Sequence, residues 1–83
     1  MVRVRLGRGL RNPPPDLILQ LQSSPAFQEL LKYVDNPQAD LNAVRELVSR
    51  VNEDLKPRGY NIVLAKAPLQ SEYDYILRLT RKH

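Results

Sequence analysis

Apolar positions along the chain fall into two rhythms, one helical and one extended. The helical rhythm is clearest from Asp40 to Leu55. Leu41, Val44, Val48, Val51 and Leu55 recur at i, i+3, i+7, i+10 and i+14 and line one face of a helix, with Leu47 widening the stripe. Arg45, Glu46, Arg50, Glu53 and Asp54 occupy the other faces, and Glu46 to Arg50 is the favoured i,i+4 order. Asp40 supplies an N-cap, while Pro57 and Gly59 stop the helix. A shorter amphipathic helix runs from Pro25 to about Val34. Ser24-Pro25 opens it as an N-cap and N1 pair, Phe27, Leu30, Leu31 and Val34 form its stripe, and Asp35-Asn36-Pro37 ends it. The few residues joining the two helices make them spatial neighbours.

The extended rhythm appears at both ends. Val2, Val4 and Leu6 alternate with Arg3 and Arg5, which predicts a half-buried strand. Tyr73, Tyr75, Leu77 and Leu79 alternate with Asp74, Ile76, Arg78 and Thr80, which predicts a second. Between them Tyr60 to Ala65 is β-rich, and Lys66 to Glu72, with Pro68 and Ser71, reads as the hairpin loop. Gly7 and Gly9 loosen the backbone after the first strand, and Asn12-Pro13-Pro14-Pro15 is a rigid connector. Asp16 to Gln22 supports two readings. Asp16 after prolines suits a helix start, but the alternation of Leu17, Leu19 and Leu21 favours a strand. The expected architecture is one α+β domain over residues 1–83, in the order β(β)ααββ, with two helices on one face of a small, mostly antiparallel sheet. Residues 1–11 form a basic strand and arm, and residues 12–15 a Pro-rich connector. Val44, Leu47, Val48 and Val51 are expected to be buried with Leu30, Leu31 and Leu77.

Composition narrows the function classes. Eighty-three residues with 42% apolar and 27% charged content suit a single globular domain with a modest core. The absence of cysteine removes disulfides and thiolate metal sites and fits a reducing compartment. The opening residues alternate arginine with aliphatics, unlike a signal peptide, and no apolar run reaches membrane length, so a cytoplasmic or virion location is expected, not a secreted or membrane one. Candidate catalytic chemistry is sparse. The single histidine is His83, the Ser23-Ser24 pair is explained by helix capping, and Glu53 and Asp54 diverge on their helix. No phosphate loop, zinc spacing or calcium loop is present, so neither enzyme activity, cofactor, metal nor small-molecule substrate is expected.

The net charge of +4 is concentrated at the ends. Residues 1–11 carry +4, residues 78–83 carry +3, and residues 12–77 carry −3. If the first and last strands share a sheet, Arg3, Arg5 and Arg78 lie on one face, with Arg8, Arg11, Arg81 and Lys82 at its margins. Such a face suits phosphates or an acidic protein surface; it equally serves to solvate a sheet and guard its edges. The tyrosines Tyr33, Tyr60, Tyr73 and Tyr75 offer base-stacking rings, but Tyr73 and Tyr75 share phase with Leu77 and Leu79, which assigns them to core or interface packing.

The order β-α-α-β-β resembles the KH class of RNA-binding domains, but the join Asp35 to Asp40 lacks the Gly-x-x-Gly that lets backbone approach nucleotide phosphates. The basic-aliphatic opening strand, the segment Leu21 to Leu31 and the helix leading through Gly59-Tyr60 into a terminal hairpin resemble the small head–tail completion, or neck, proteins of tailed bacteriophages. That resemblance implies a ring-forming subunit without catalytic residues. The expected function is a non-enzymatic assembly module whose partners are itself or other subunits of a particle, such as a phage virion. The alternative is a small nucleic-acid-binding protein using the terminal arginines.

Overall fold

The computed structural model describes residues 1–81; Lys82, expected at the basic margin, and His83 lie outside them. The chain is an α+β domain. Strand β1 (Val4–Leu6) is followed by helices α1 (Arg8–Arg11), α2 (Pro15–Gln22), α3 (Pro25–Leu31) and α4 (Leu41–Leu55), a 3₁₀ turn at Lys56–Arg58, and strands β2 (Tyr60–Lys66) and β3 (Tyr75–Arg81). The sheet order is β1-β3-β2. β3 is central, antiparallel to β2 over seven register pairs and parallel to β1 over three. The sheet is therefore mixed, its antiparallel part the larger.

The stripe on α4 packs as its spacing requires. Val44, Val51 and Leu55 are fully buried, Val48 nearly so, and they meet Leu30 of α3 and Val4, Ile62 and Leu77 of the sheet in one cluster. Leu47 and Leu31, expected in the interior, are only half-buried and pack against its rim. Leu47 sits at the flank of its stripe, and Leu31 is the last residue of α3. The Asp40 side chain accepts the Asn42 N–H and the Ser24 hydroxyl accepts the Phe27 N–H, so both helix starts are capped. Gly59 closes the far end at φ 78°, a left-handed conformation that favours glycine.

Two segments depart from the expected order. Asp16–Gln22 is helix, not strand: Pro15 occupies the first helical turn, Asp16 lies beside the N-terminal dipole, and Leu17 and Leu21 are buried at i and i+4. Leu19, in phase with them as a strand residue, is 74% exposed. The arm after β1 is a helical turn, α1, despite its glycines. Tertiary contact explains it. The Gly7 N–H donates to the Leu77 carbonyl at 2.8 Å, α1 then lies along β3, and Leu10 enters the core. A β-carbon on Gly7 would come within 2.8 Å of the Leu77 carbonyl oxygen, and one on Gly9 within 3.1 Å of Leu79 Cβ. Gly7→Ala is therefore expected to lower stability by about 1–3 kcal/mol through forced separation of β1 from β3, read as a lower urea midpoint at unchanged m-value. Smaller boundary shifts complete the comparison: α3 ends at Leu31 and not near Val34, and β3 begins at Tyr75, leaving Tyr73 in the preceding loop. Among the described residues no helix is long and apolar enough to cross a membrane.

Candidate interaction surface

Alternation sorts the sheet's side chains between two faces. Val4, Leu6, Ile62, Leu64, Tyr75, Leu77 and Leu79 belong to the face packed into the core. Arg5 pairs in register with Ile76, Ile76 with Ala65, and Arg78 with Val63, so these five share the opposite, open face. α1 rises along one side of this face and the β2–β3 loop along another. Together they enclose a groove of about 560 Å³ lined by Arg5, Arg8, Lys66 and Arg78 around Ala65 and Ile76. No carboxylate lines it among the described residues. Four cations around an aliphatic floor form an anion-attracting surface, because the described residues place no acid among them.

The remaining basic residues are distributed differently from the sequence expectation. Arg3 and Arg5 each hold their guanidinium carbon 6.0 Å from the centre of the Tyr73 ring, a cation–π distance. Arg11 joins Arg5, Val34, Asp35 and Tyr73 around a smaller groove. Arg81 leaves the set altogether: it pairs in register with Tyr60 on the helix-side face and lies 5.3 Å from that ring. The expected common face of Arg3, Arg5 and Arg78 therefore holds in the groove for Arg5 and Arg78. Arg3 is not part of that lining; its backbone N–H donates to the Asp74 carboxylate at 2.8 Å.

Tyr73 is not a core residue, unlike Tyr60, which is buried, and Tyr75, which packs against the core. Its hydroxyl donates to the Asp35 carboxylate. Asp35 itself has φ 61°, and its N–H donates to the Val4 carbonyl at 2.8 Å. This ties the α3–α4 connection to the outer side of β1. The bond to Asp35 holds the Tyr73 hydroxyl above its usual pKa of 10.0, with burial and the Asp35 charge adding and Arg3 opposing. A raised folded-state value means that the contribution is present below the unfolded pKa and is lost as pH rises through the folded one. Tyr73→Phe is expected to remove this alkaline loss: the fall in melting temperature above about pH 10 becomes shallower than in the wild type.

Two residues absent from the sequence expectation matter here. Lys66 lines the groove although its register partner Tyr75 belongs to the core-side face: it is the last residue of β2, where the strand gives way to the loop that borders the groove, so parity alone does not identify it. Asn52, on α4, hydrogen-bonds the backbone of β2, and nothing in its helical spacing marks it. Among the described residues the carboxylate ion pairs are Glu29–Lys32 and Glu46–Arg50, both on exposed helix faces. None of Arg3, Arg5, Arg8, Arg11, Arg78 or Arg81 has a carboxylate partner there. No three His, Cys, Asp or Glu side chains among the described residues gather as a metal-holding group. Comparison with protein-family models, with curated proteins and with solved structures finds no match to this chain.

Proposed function

We propose that this protein is a non-enzymatic interaction module, a subunit of an assembly that holds a carboxylate-bearing protein surface against the open face of its sheet. The observation that carries this reading is the acid-free groove, in which Arg5, Arg8, Lys66 and Arg78 surround an aliphatic floor. Aliphatic centres with arginine at the margin suit protein partners. Single-stranded nucleic acid relies instead on aromatic platforms, and the aromatic ring nearest Arg5, Tyr73, is already engaged by Asp35. The partner favoured is a second copy of the chain. Its body carries −3 against the basic ends, and Asp16, Glu53 and Glu72 form no ion pair or side-chain hydrogen bond among the described residues. A basic face meeting a different surface on the next copy is a head-to-tail contact, which closes into a ring or continues as a filament. The resemblance to phage neck proteins suggests the first, in a virion.

The test is the molar mass in solution of the wild type and of the Arg5→Gln/Arg8→Gln/Arg78→Gln variant, alongside retention of duplex DNA. The proposed function expects a loss of mass in the variant and weak, unchanged DNA retention. A wild-type monomer that binds DNA tightly, with an affinity falling steeply as salt rises, would replace it with the nucleic-acid reading.

A further inference from the structure

The two outer edges of the sheet are treated differently. Beyond β1, the connection between α3 and α4 closes the edge: the Val2 N–H donates to the Ala39 carbonyl at 2.9 Å, and Val4 bridges to Val34. Beyond β2 no strand follows among the described residues. Instead the Ile62 N–H donates to Asn52 Oδ1 at 2.6 Å, and Asn52 Nδ2 donates to the Ile62 carbonyl at 3.0 Å. These are the two bonds that a residue of a neighbouring antiparallel strand would exchange with Ile62. One side-chain amide from α4 stands where a strand would add.

We infer that the outer edge of β2 is a self-pairing surface held closed by Asn52, and that the partner it fits is β2 of a second copy. Three observations support this. Tyr60 to Ala65 contains no charge, proline or glycine and carries β-branched Ile62 and Val63, the composition of segments that stack edge to edge. Alternation turns the N–H and C=O of Tyr60, Leu64 and Lys66 to the same outer side as those of Ile62, and among the described residues Ile62 is the one whose outward groups are hydrogen-bonded by a side chain. Val63, midway along the strand, is 40% exposed. An incoming strand needs a continuous row of outward groups. With Ile62 occupied, the row is broken near its middle into Tyr60 on one side and Leu64 and Lys66 on the other, each piece too short to hold a pair. Unprotected edges of this kind are a recognised route to association, and natural sheets close them. Asn52 can do so because it follows buried Val51 on α4 and lies at the flank of the stripe, facing β2. The inference is independent of the cation-lined groove, since it concerns the sheet's edge and not its open face.

The experiment compares the wild type, Asn52→Ala and Asn52→Ala/Val63→Lys by sedimentation over rising concentration, at a salt level that screens charge-driven contacts. Asn52→Ala is expected to self-associate at least tenfold more tightly than the wild type. In an antiparallel pair centred on residue 63, the lysine of Val63→Lys meets its own copy, and like charges directly opposite oppose pairing. The double variant is therefore expected to return to the wild-type mass. Asn52→Ala with the wild-type mass throughout, or a double variant that associates as strongly as the single one, would overturn the inference. Amide exchange in the unaltered protein supplies a reading that does not depend on the variants folding. The Ile62 amide should exchange at least tenfold more slowly than that of Leu64, and equal rates would contradict a closed edge.

Discussion

Leu77→Ala is expected to unfold a large fraction of the molecules at physiological temperature. Leu77 is fully buried on the central strand, in register with Leu6 of β1 on one side and Leu64 of β2 on the other. Truncation there leaves a cavity between the Leu6 and Leu64 side chains, whose strands are fixed by their pairing with β3, so the cost falls at about 2–5 kcal/mol. An 83-residue domain has in total about 4–12 kcal/mol to lose, and each kcal/mol moves the melting temperature of a domain this size by about 4–8 °C. A fall of about 10 °C or more in a thermal melt is the expected reading. Leu47→Ala gives the contrast. Its side chain belongs to the same apolar stripe of α4 but is half-buried, and its loss should cost about 1–2 kcal/mol. Equal effects at the two positions would mean that α4 is rotated relative to the sheet.

Replacement of Arg5, Arg8 and Arg78 by glutamine is expected to weaken self-association about a hundredfold while leaving the melting temperature of the monomer nearly unchanged. None of the three has a carboxylate partner within the chain among the described residues, so the folded monomer loses no ion pair with them. An ion pair formed at the margin of an interface is worth up to about 1 kcal/mol, and three such pairs multiply to about two decades in affinity. Arg78→Glu alone should exceed one-third of that effect, because a repulsion replaces the attraction. Raising the salt concentration should weaken the wild type towards the triple variant, whose own salt dependence is flatter. On duplex DNA the same three residues would each contribute about 0.9 to the log–log salt slope, a dependence the assembly reading does not expect.

The parts of the fold that follow from local pattern were legible in the chain. The α4 stripe, the Ser24 and Asp40 caps, the Gly59 stop and the β2–β3 hairpin each rest on neighbours a few residues apart. α2 was not legible, because Leu17 and Leu21 satisfy both a two-residue alternation through Leu19 and an i,i+4 pair; the choice is made by Pro15 and by what packs against Leu17. α1 was hidden for a different reason. Its glycines argue against a helix locally, and only the close approach of Gly7 and Gly9 to β3 explains them. Half of the cation-lined groove could be read by parity: Arg5 and Arg78 fall on the open face, whereas Arg81 has the parity of Leu77 and Leu79, and the structure places it with Tyr60. Arg8 and Lys66 join the groove through α1 and the strand end, and Asn52 serves an edge that exists only once the strand order is fixed. These depend on contacts between distant segments, for which a single sequence carries no periodic signal.

Whether the open face of the sheet receives the partner can be read from backbone amide resonances recorded as the protein is concentrated from monomer into its associated form. The amides of Arg5, Arg8, Val63, Ile76 and Arg78 are expected to shift together, with the same concentration midpoint as the rise in molar mass. Shifts confined to the outer face of α4, or a rising mass that leaves the open face of the sheet unperturbed, would contradict it.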